Sequence, residues 1–168
     1  MRACGESSWE KVTLTKIGPH FHVGILVADI EAAIHRFSDA FGIRFTDPVE
    51  QHITLHDPDP AECRIRAVYS LTEAPYLELI EAQGNGALSL SQGEGLHHLG
   101  FWAPDFDTYQ RSETGAKLPA GPRFCLASDS PTMWLTNPAD LHGVRLEWLN
   151  AALRPGFEAG LAQGRMDG

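Results

Sequence analysis

Only three cysteines, Cys4, Cys63 and Cys125, occur in the 168 residues. An odd, scattered set offers no disulfide framework and no CxxC or Cys/His cluster for structural zinc. It suits a reducing compartment, so a cytoplasmic location is expected. No apolar run approaches the ~18 residues that span a bilayer. The opening MRACGESSWEKVTLTK has no apolar stretch of the secretory type, and no basic amphipathic segment suits a membrane surface. Basic residues are scarce: 13 Lys and Arg stand against 22 Asp and Glu, a net charge of −9. An acidic surface repels phosphate backbones, so no nucleic-acid partner is expected. A small substrate is not excluded, since a few arginines suffice to hold an anion.

The remainder is ordinary for a globular chain, with 43% hydrophobic and 21% charged residues. The length suits one domain, or two small modules sharing a core. The second option gains weight from a repeat. HVGILVAD, from His22 to Asp29, and HLGFWAPD, from His98 to Asp105, both place His first, Gly third and Asp eighth. LELI (Leu77 to Ile80) and LEWL (Leu146 to Leu149) form a second matched pair. The histidines lie 76 positions apart and the glutamates 69, a difference that shorter loops in the second unit absorb.

Periodicity reads the first unit as strand, helix, strand, strand, strand. Residues 20–28 alternate as a strand. Asp29 is placed as a helix N-cap, Ile30, Ala33, Ile34, Phe37, Ala40 and Phe41 form an apolar stripe, and Gly42 is placed as a left-handed C′ residue. Strands are expected over Ile43 to Leu55 (broken near Pro48), Cys63 to Leu71 and Tyr76 to Ala82. The order then restarts, with strands at Leu96 to Ala103, in RFCLAS, in TMWLT and at Gly143 to Leu149, and a short helix over Asp105 to Gly115. The expected division is a 1–19 extension, a 20–82 module, an 83–95 Gly-rich linker, a 96–150 module and a 151–168 tail with a short helix around Phe157 to Gln163. The fold class is α+β, two βαβββ modules in one curled mixed sheet.

The repeat puts His22 and His98 on opening strands, and Glu78 and Glu147 on closing ones. A lone strand histidine is ordinarily a hydrogen-bonded core or surface residue, and a lone Glu between leucines an exposed one. Matched twice, the four point to something shared. An ionised carboxylate in an apolar strand is costly unless paired, hydrogen-bonded or metal-bound. Two imidazoles with two carboxylates suit a divalent Ni, Zn, Co, Mn or Fe ion.

HVGILVADIEAAIHRFSDAFGI, YLELIE, GEGLHHLGFWAPD and GVRLEWLN, in that order, resemble the vicinal-oxygen-chelate superfamily of glyoxalase I, methylmalonyl-CoA epimerase, extradiol dioxygenases and bleomycin-resistance proteins. The resemblance covers roughly residues 20–150. It implies His22, Glu78, His98 and Glu147 as metal ligands around one cavity, Glu147 and then Glu78 as the catalytic base, and a homodimer. The aligned frame selects His98 over His97, and pleat parity allows only one of them to face inward. His97 and His20 are expected to lie behind the ligands or at the surface.

The activity so implied is a divalent-metal-dependent isomerase or lyase. It works through an enolate on a small substrate with vicinal oxygens, epimerase-like or glyoxalase-like. The metal would be Ni, Zn, Co or Mn. An extradiol dioxygenase using iron with His22, His98 and Glu147 would leave Glu78 surplus, and a non-catalytic binding protein is a third option. Pleat parity nominates Tyr76 and Trp102, with Leu26, Ile80, Arg145 and Leu149, as cavity wall. It assigns Ile65, Ala67 and Tyr69 to the helix side of their strand. Arg64 and Arg66 then face inward, with Arg66 taken as a substrate contact.

Overall fold

The structure, a computed structural model, describes residues 17–56, 59–104, 106, 122–126 and 131–164. Among these residues the chain forms β1 (His20–Val27), α1 (Ile30–Phe41), β2 (Val49–His56), β3 (Pro60–Tyr69), β4 (Tyr76–Glu81), β5 (Gly95–Ala103), β6 (Arg123–Leu126), β7 (Met133–Leu135), β8 (Leu146–Asn150) and α2 (Arg154–Ala162). The eight strands close into a barrel in the order β1-β4-β3-β2-β6-β7-β8-β5. The expected α+β class with its curled mixed sheet is therefore observed. The helix expected over Asp105 to Gly115 lies outside the described residues, apart from Phe106, as does most of the 1–19 extension.

Each unit brings its first and last strands together in parallel, β1 with β4 and β5 with β8. The units join through two antiparallel seams, β1 with β5 and β2 with β6. Closure leaves none of these eight strands with a free edge and gives each an inner and an outer face. It also makes β4, β1, β5 and β8 four consecutive staves of one wall.

Local chemistry explains α1. Asp29 is extended (φ −139°, ψ 109°), and its side chain accepts the Ala32 N–H at 3.0 Å. Gly42 takes the left-handed conformation (φ 67°) and its N–H closes on the Ser38 carbonyl. Ile30, Ala33, Ile34 and Phe37 pack on Val27, Val68 and Leu79 outside the barrel. Leu26, Ile53, Leu55, Ile80, Leu88 and Leu135 form a separate buried cluster.

One expected orientation is reversed. On β3 it is Val68 that packs under α1, while Ile65, Ala67 and Tyr69 line the cavity. The apolar alternation was correct, but the apolar face meets the barrel interior rather than the helix, and α1 covers the more polar outer face only at Val68. Arg66 consequently lies on the helix side. Its guanidinium pairs with Glu31 of α1 and reaches Glu81 at 3.4 Å. Arg64 pairs with Glu50 at 3.2 Å, both side chains about half exposed.

Replacing Asp29 by Ala leaves the first turn of α1 without its side-chain acceptor. The expected loss is ~1 kcal/mol, read as a lower urea midpoint at unchanged m-value.

Candidate metal centre

The register of the four-stave wall determines what meets inside. Across β4, β1 and β5, Glu78 is paired with Gly24, and Gly24 with His98. Across β1, β5 and β8, His22 is paired with Gly100, and Gly100 with Glu147. Each row therefore reads carboxylate, glycine, imidazole, in opposite directions. Cross-strand partners project to one face, and the central glycine leaves space over which its neighbours lean. The His98 ring lies against Gly24 and the His22 ring against Gly100, so a Cβ at either glycine would fall well inside van der Waals contact with imidazole atoms. The glycine of each frame thus seats the histidine of the other.

The four side chains converge. His22 Nε2 lies 3.2 Å from Glu78 Oε2 and 3.1 Å from Glu147 Oε2. His98 Nε2 lies 3.3 Å from each of the same oxygens. The two Nε2 atoms are 2.6 Å apart. All four residues are buried and come from one chain. One donor atom each of His22, Glu78 and His98 lies within 4.8 Å of the others, a spacing that could hold a metal ion. The donor set also suits one chemically. Without a cation, charge balance for two buried carboxylates falls on two imidazolium rings whose nitrogens then face each other. A divalent ion ligated by the four atoms removes that repulsion.

Two bulges complete the centre. The β1–β5 register shifts between His20 and His22, and again between Gly24 and Ile25, opposite His97. A bulge lets neighbouring residues share a face. Phe21 turns inward beside His22, ring to ring at 4.1 Å. His97 turns inward beside His98, and their Nδ1 atoms are 2.9 Å apart. Strict pleat parity therefore fails here, and both histidines of LHHLG line the cavity. His97 still stands behind His98 as a support. Its Nε2 is 2.8 Å from the Ala87 carbonyl and touches the buried Arg145 guanidinium, which donates to Gln92 at 2.7 Å. His22 has a phenyl ring where His98 has an imidazole, and its Nδ1 has no hydrogen-bond partner among the described residues. His20 is exposed, its Nε2 2.9 Å from the His22 carbonyl.

Electrostatics follow the geometry. Burial alone would lower the histidines, but Glu147 and Glu78 together outweigh it, pushing His98 up to about 10 and raising His22. Burial alone would raise the carboxyls, yet the imidazoles hold Glu147 down to about 2 and Glu78 lower still. Burial and the His98 charge lower His97 to about 4, keeping it neutral. Tyr69, expected on the helix side of β3, instead donates its hydroxyl to Glu78 Oε1. Burial and the two carboxylates push its own ionisation well above the usual phenol range. Of the expected wall residues, Trp102, Ile80 and Leu149 line the cavity. Tyr76 instead packs beside it, 6.1 Å from the Phe157 ring, and Arg66 is outside the barrel.

Gly24→Ala and Gly100→Ala should each displace the histidine of the opposite unit, changing the His98 or His22 imidazole resonances in nitrogen-15 NMR while far-UV circular dichroism is retained. In chelator-treated protein, His98 keeps its proton up to about pH 10 when folded and about 6.5 when unfolded. Its contribution is complete below 6.5 and is lost as pH rises through 10. Glu147 contributes above about 4.5, and that contribution is lost as pH falls through about 2. The melting temperature should therefore fall from pH 6.5 to 10, and this alkaline decline should flatten in His98→Ala.

Comparison with known proteins agrees with this architecture. No curated protein sequence matches the chain. Among solved structures, a variant of Streptomyces coelicolor methylmalonyl-CoA epimerase in complex with 2-nitronate-propionyl-CoA has a TM-score of 0.58 at 20% identity, covering 81% of this chain and 99% of that one. Methylmalonyl-CoA epimerase from Mycobacterium tuberculosis gives 0.52 at 20%, covering 81% and 90%. A hypothetical protein from Bacillus halodurans C-125 gives 0.55 at 14%, covering 79% and 93%. At these identities the likeness is one of fold. Residues 21–123, more than half the chain, match the model of one sequence family, and this segment holds both of the chain's His-x-Gly frames and its first closing glutamate. The chain belongs to the glyoxalase/bleomycin resistance protein/dioxygenase superfamily.

Proposed function

We propose that this protein is a divalent-metal-dependent isomerase or lyase that moves a proton from a carbon next to a carbonyl, on a small substrate with two neighbouring oxygens. The observation that carries the reading is a pair of buried carboxylates flanking two imidazoles in the wall of an apolar cavity. His22, Glu78, His98 and Glu147 would hold the ion, and Ni, Zn, Co and Mn all accept such nitrogen and oxygen donors. When bound, the ion supplies Lewis-acid polarisation of the substrate oxygens and so acidifies the neighbouring C–H.

The two carboxylates are not equivalent. The Tyr69 hydroxyl donates to Glu78, which lowers its basicity and holds its orientation. Among the described residues no hydroxyl donates to Glu147 in the same way. Glu147 is therefore the base that takes the carbon-bound proton and returns it, and Glu78 the fixed anchor and second candidate. Both units of one chain supply the centre, so a second copy is not needed to complete it. An iron dioxygenase reading would leave Glu78 without a role, although it lies as close to both histidines as Glu147 does.

Elemental analysis of protein purified without chelator or nickel affinity should find about one ion per chain. Binding should displace protons from the imidazoles, so calorimetry at pH 7 in buffers of different ionisation enthalpy should register proton release. Protein that holds no metal after soaking with these ions would exclude the reading. In heavy water, the loaded protein should exchange the C–H protons of small 2-hydroxy ketones, followed by proton NMR. Glu147→Gln should slow that exchange by ~100-fold or more, a typical general-base contribution, and Tyr69→Phe should slow it less. Equal losses would overturn the division of roles.

A further inference from the structure

The cavity above the centre has a volume of about 260 Å³, below the ~300–1,000 Å³ usual for drug-sized ligands. Its titratable groups gather at the centre, and Gln51 of β2 adds one neutral polar side chain to the wall. Its walls are otherwise apolar, including Ile65, Ile80, Trp102, Met133, Leu149 and Phe157, and among the described residues no lysine or arginine lines it. Nearby described guanidinium groups are occupied elsewhere: Arg66 with Glu31 and Glu81, Arg145 with Gln92 and His97. The overall charge of −9 adds no attraction for a polyanion.

One side of the cavity is formed by α2. Phe157 fixes the helix against the barrel, its ring 5.4 Å from Phe21, 4.8 Å from Tyr69 and 5.7 Å from Trp102. Gly156 and Gly160, one turn apart, border the cavity. Glycine inside a helix costs ~1 kcal/mol relative to alanine, so its presence calls for a reason. Packing supplies none at Gly156, where a Cβ would meet nothing within 4 Å. The backbone there is not in the left-handed region, so no turn requires glycine either. Gly156 is exposed where α2 borders the cavity, so what its missing side chain leaves open is the mouth of the cavity, through which a ligand body would pass or project.

We infer that the substrate carries a compact, uncharged, apolar body, and that Gly156 sets the size of that body. This rests on the reading of the centre given above, and it adds the class of molecule taken. The neighbouring oxygens face the His and Glu cluster, while a short hydrocarbon or single aromatic ring fills the space between Trp102 and the bare side of α2. A nucleotide-bearing or peptide-bearing thioester finds no cationic subsite among the described residues of this cavity.

Hydroxamates test the inference, because they present two neighbouring oxygens on bodies of chosen size. By calorimetry, metal-loaded protein should bind benzohydroxamate at least tenfold tighter than acetohydroxamate. Gly156→Leu should abolish that advantage and leave acetohydroxamate affinity within about twofold. Gly156→Ala, which the fold accommodates without contact, repeats the test if the leucine variant does not fold. A metal-independent arm uses toluene and chelator-treated protein, followed by ligand-observed NMR. Wild type should bind it and Gly156→Leu should not. Equal affinity for the two hydroxamates would overturn the inference. So would propionyl-CoA displacing benzohydroxamate at a tenfold lower concentration than the propionyl thioester of N-acetylcysteamine. If no ion is retained, the hydroxamates fail together and the metal-centre reading falls. The toluene arm then decides the apolar-body inference alone, for it if wild type binds and against it if not.

Discussion

The antiparallel pairing of β1 with β5 is the constraint on which the rest of the molecule depends. Its register places Gly24 opposite His98 and Gly100 opposite His22. The parallel partners β4 and β8 then deliver Glu78 and Glu147 to the flanks of the same two rows. A slip of one residue along this seam would send every inward group outward. The exchange of glycine and histidine between the units also explains why the eight-residue frame occurs twice: each copy is incomplete, and each supplies the space that the other needs.

Departures from twofold symmetry give the centre its chemistry. The position before each histidine turns inward on a bulge, yet one unit places a phenyl ring there and the other an imidazole. On the side away from the carboxylates, His22 consequently rests against a ring, whereas His98 meets His97, whose Nε2 lies at the Ala87 carbonyl. Tyr69 binds one carboxylate and not the other. Two equivalent carboxylates would share one role, whereas two in different surroundings can divide the work of holding an ion and moving a proton.

Most of the fold was legible in the sequence because the relevant signals are local. The Asp29 cap, the α1 stripe and Gly42 act within a dozen residues, and strand alternation located the edges of β1, β4 and β5 to within a residue or so. The four convergent residues were legible because the repeat marks them twice. What the sequence concealed depends on partners distant along the chain. The inward turn of His97 comes from a bulge in the β1–β5 seam. Both α1 and the cavity offer β3 an apolar neighbour, and alternation alone does not say which of them its apolar face meets, so the sides of Tyr69 and Arg66 stayed hidden. Arg66 was read as free to meet a substrate, yet Glu31 lies directly across from it on α1, a neighbour that only tertiary packing reveals. Gly156 gave no signal because a missing side chain has no period.

The seating of each ring by the opposite unit also has a kinetic consequence. His22 and His98 meet across 76 positions. Contacts so far apart in sequence form late, since the intervening chain must first be organised before they repay its loss of entropy. A newly made first unit carries one imidazole and one carboxylate, too few to retain an ion firmly. Only docking of the second unit creates the site, so acquisition of metal would mark the end of folding rather than its nucleus.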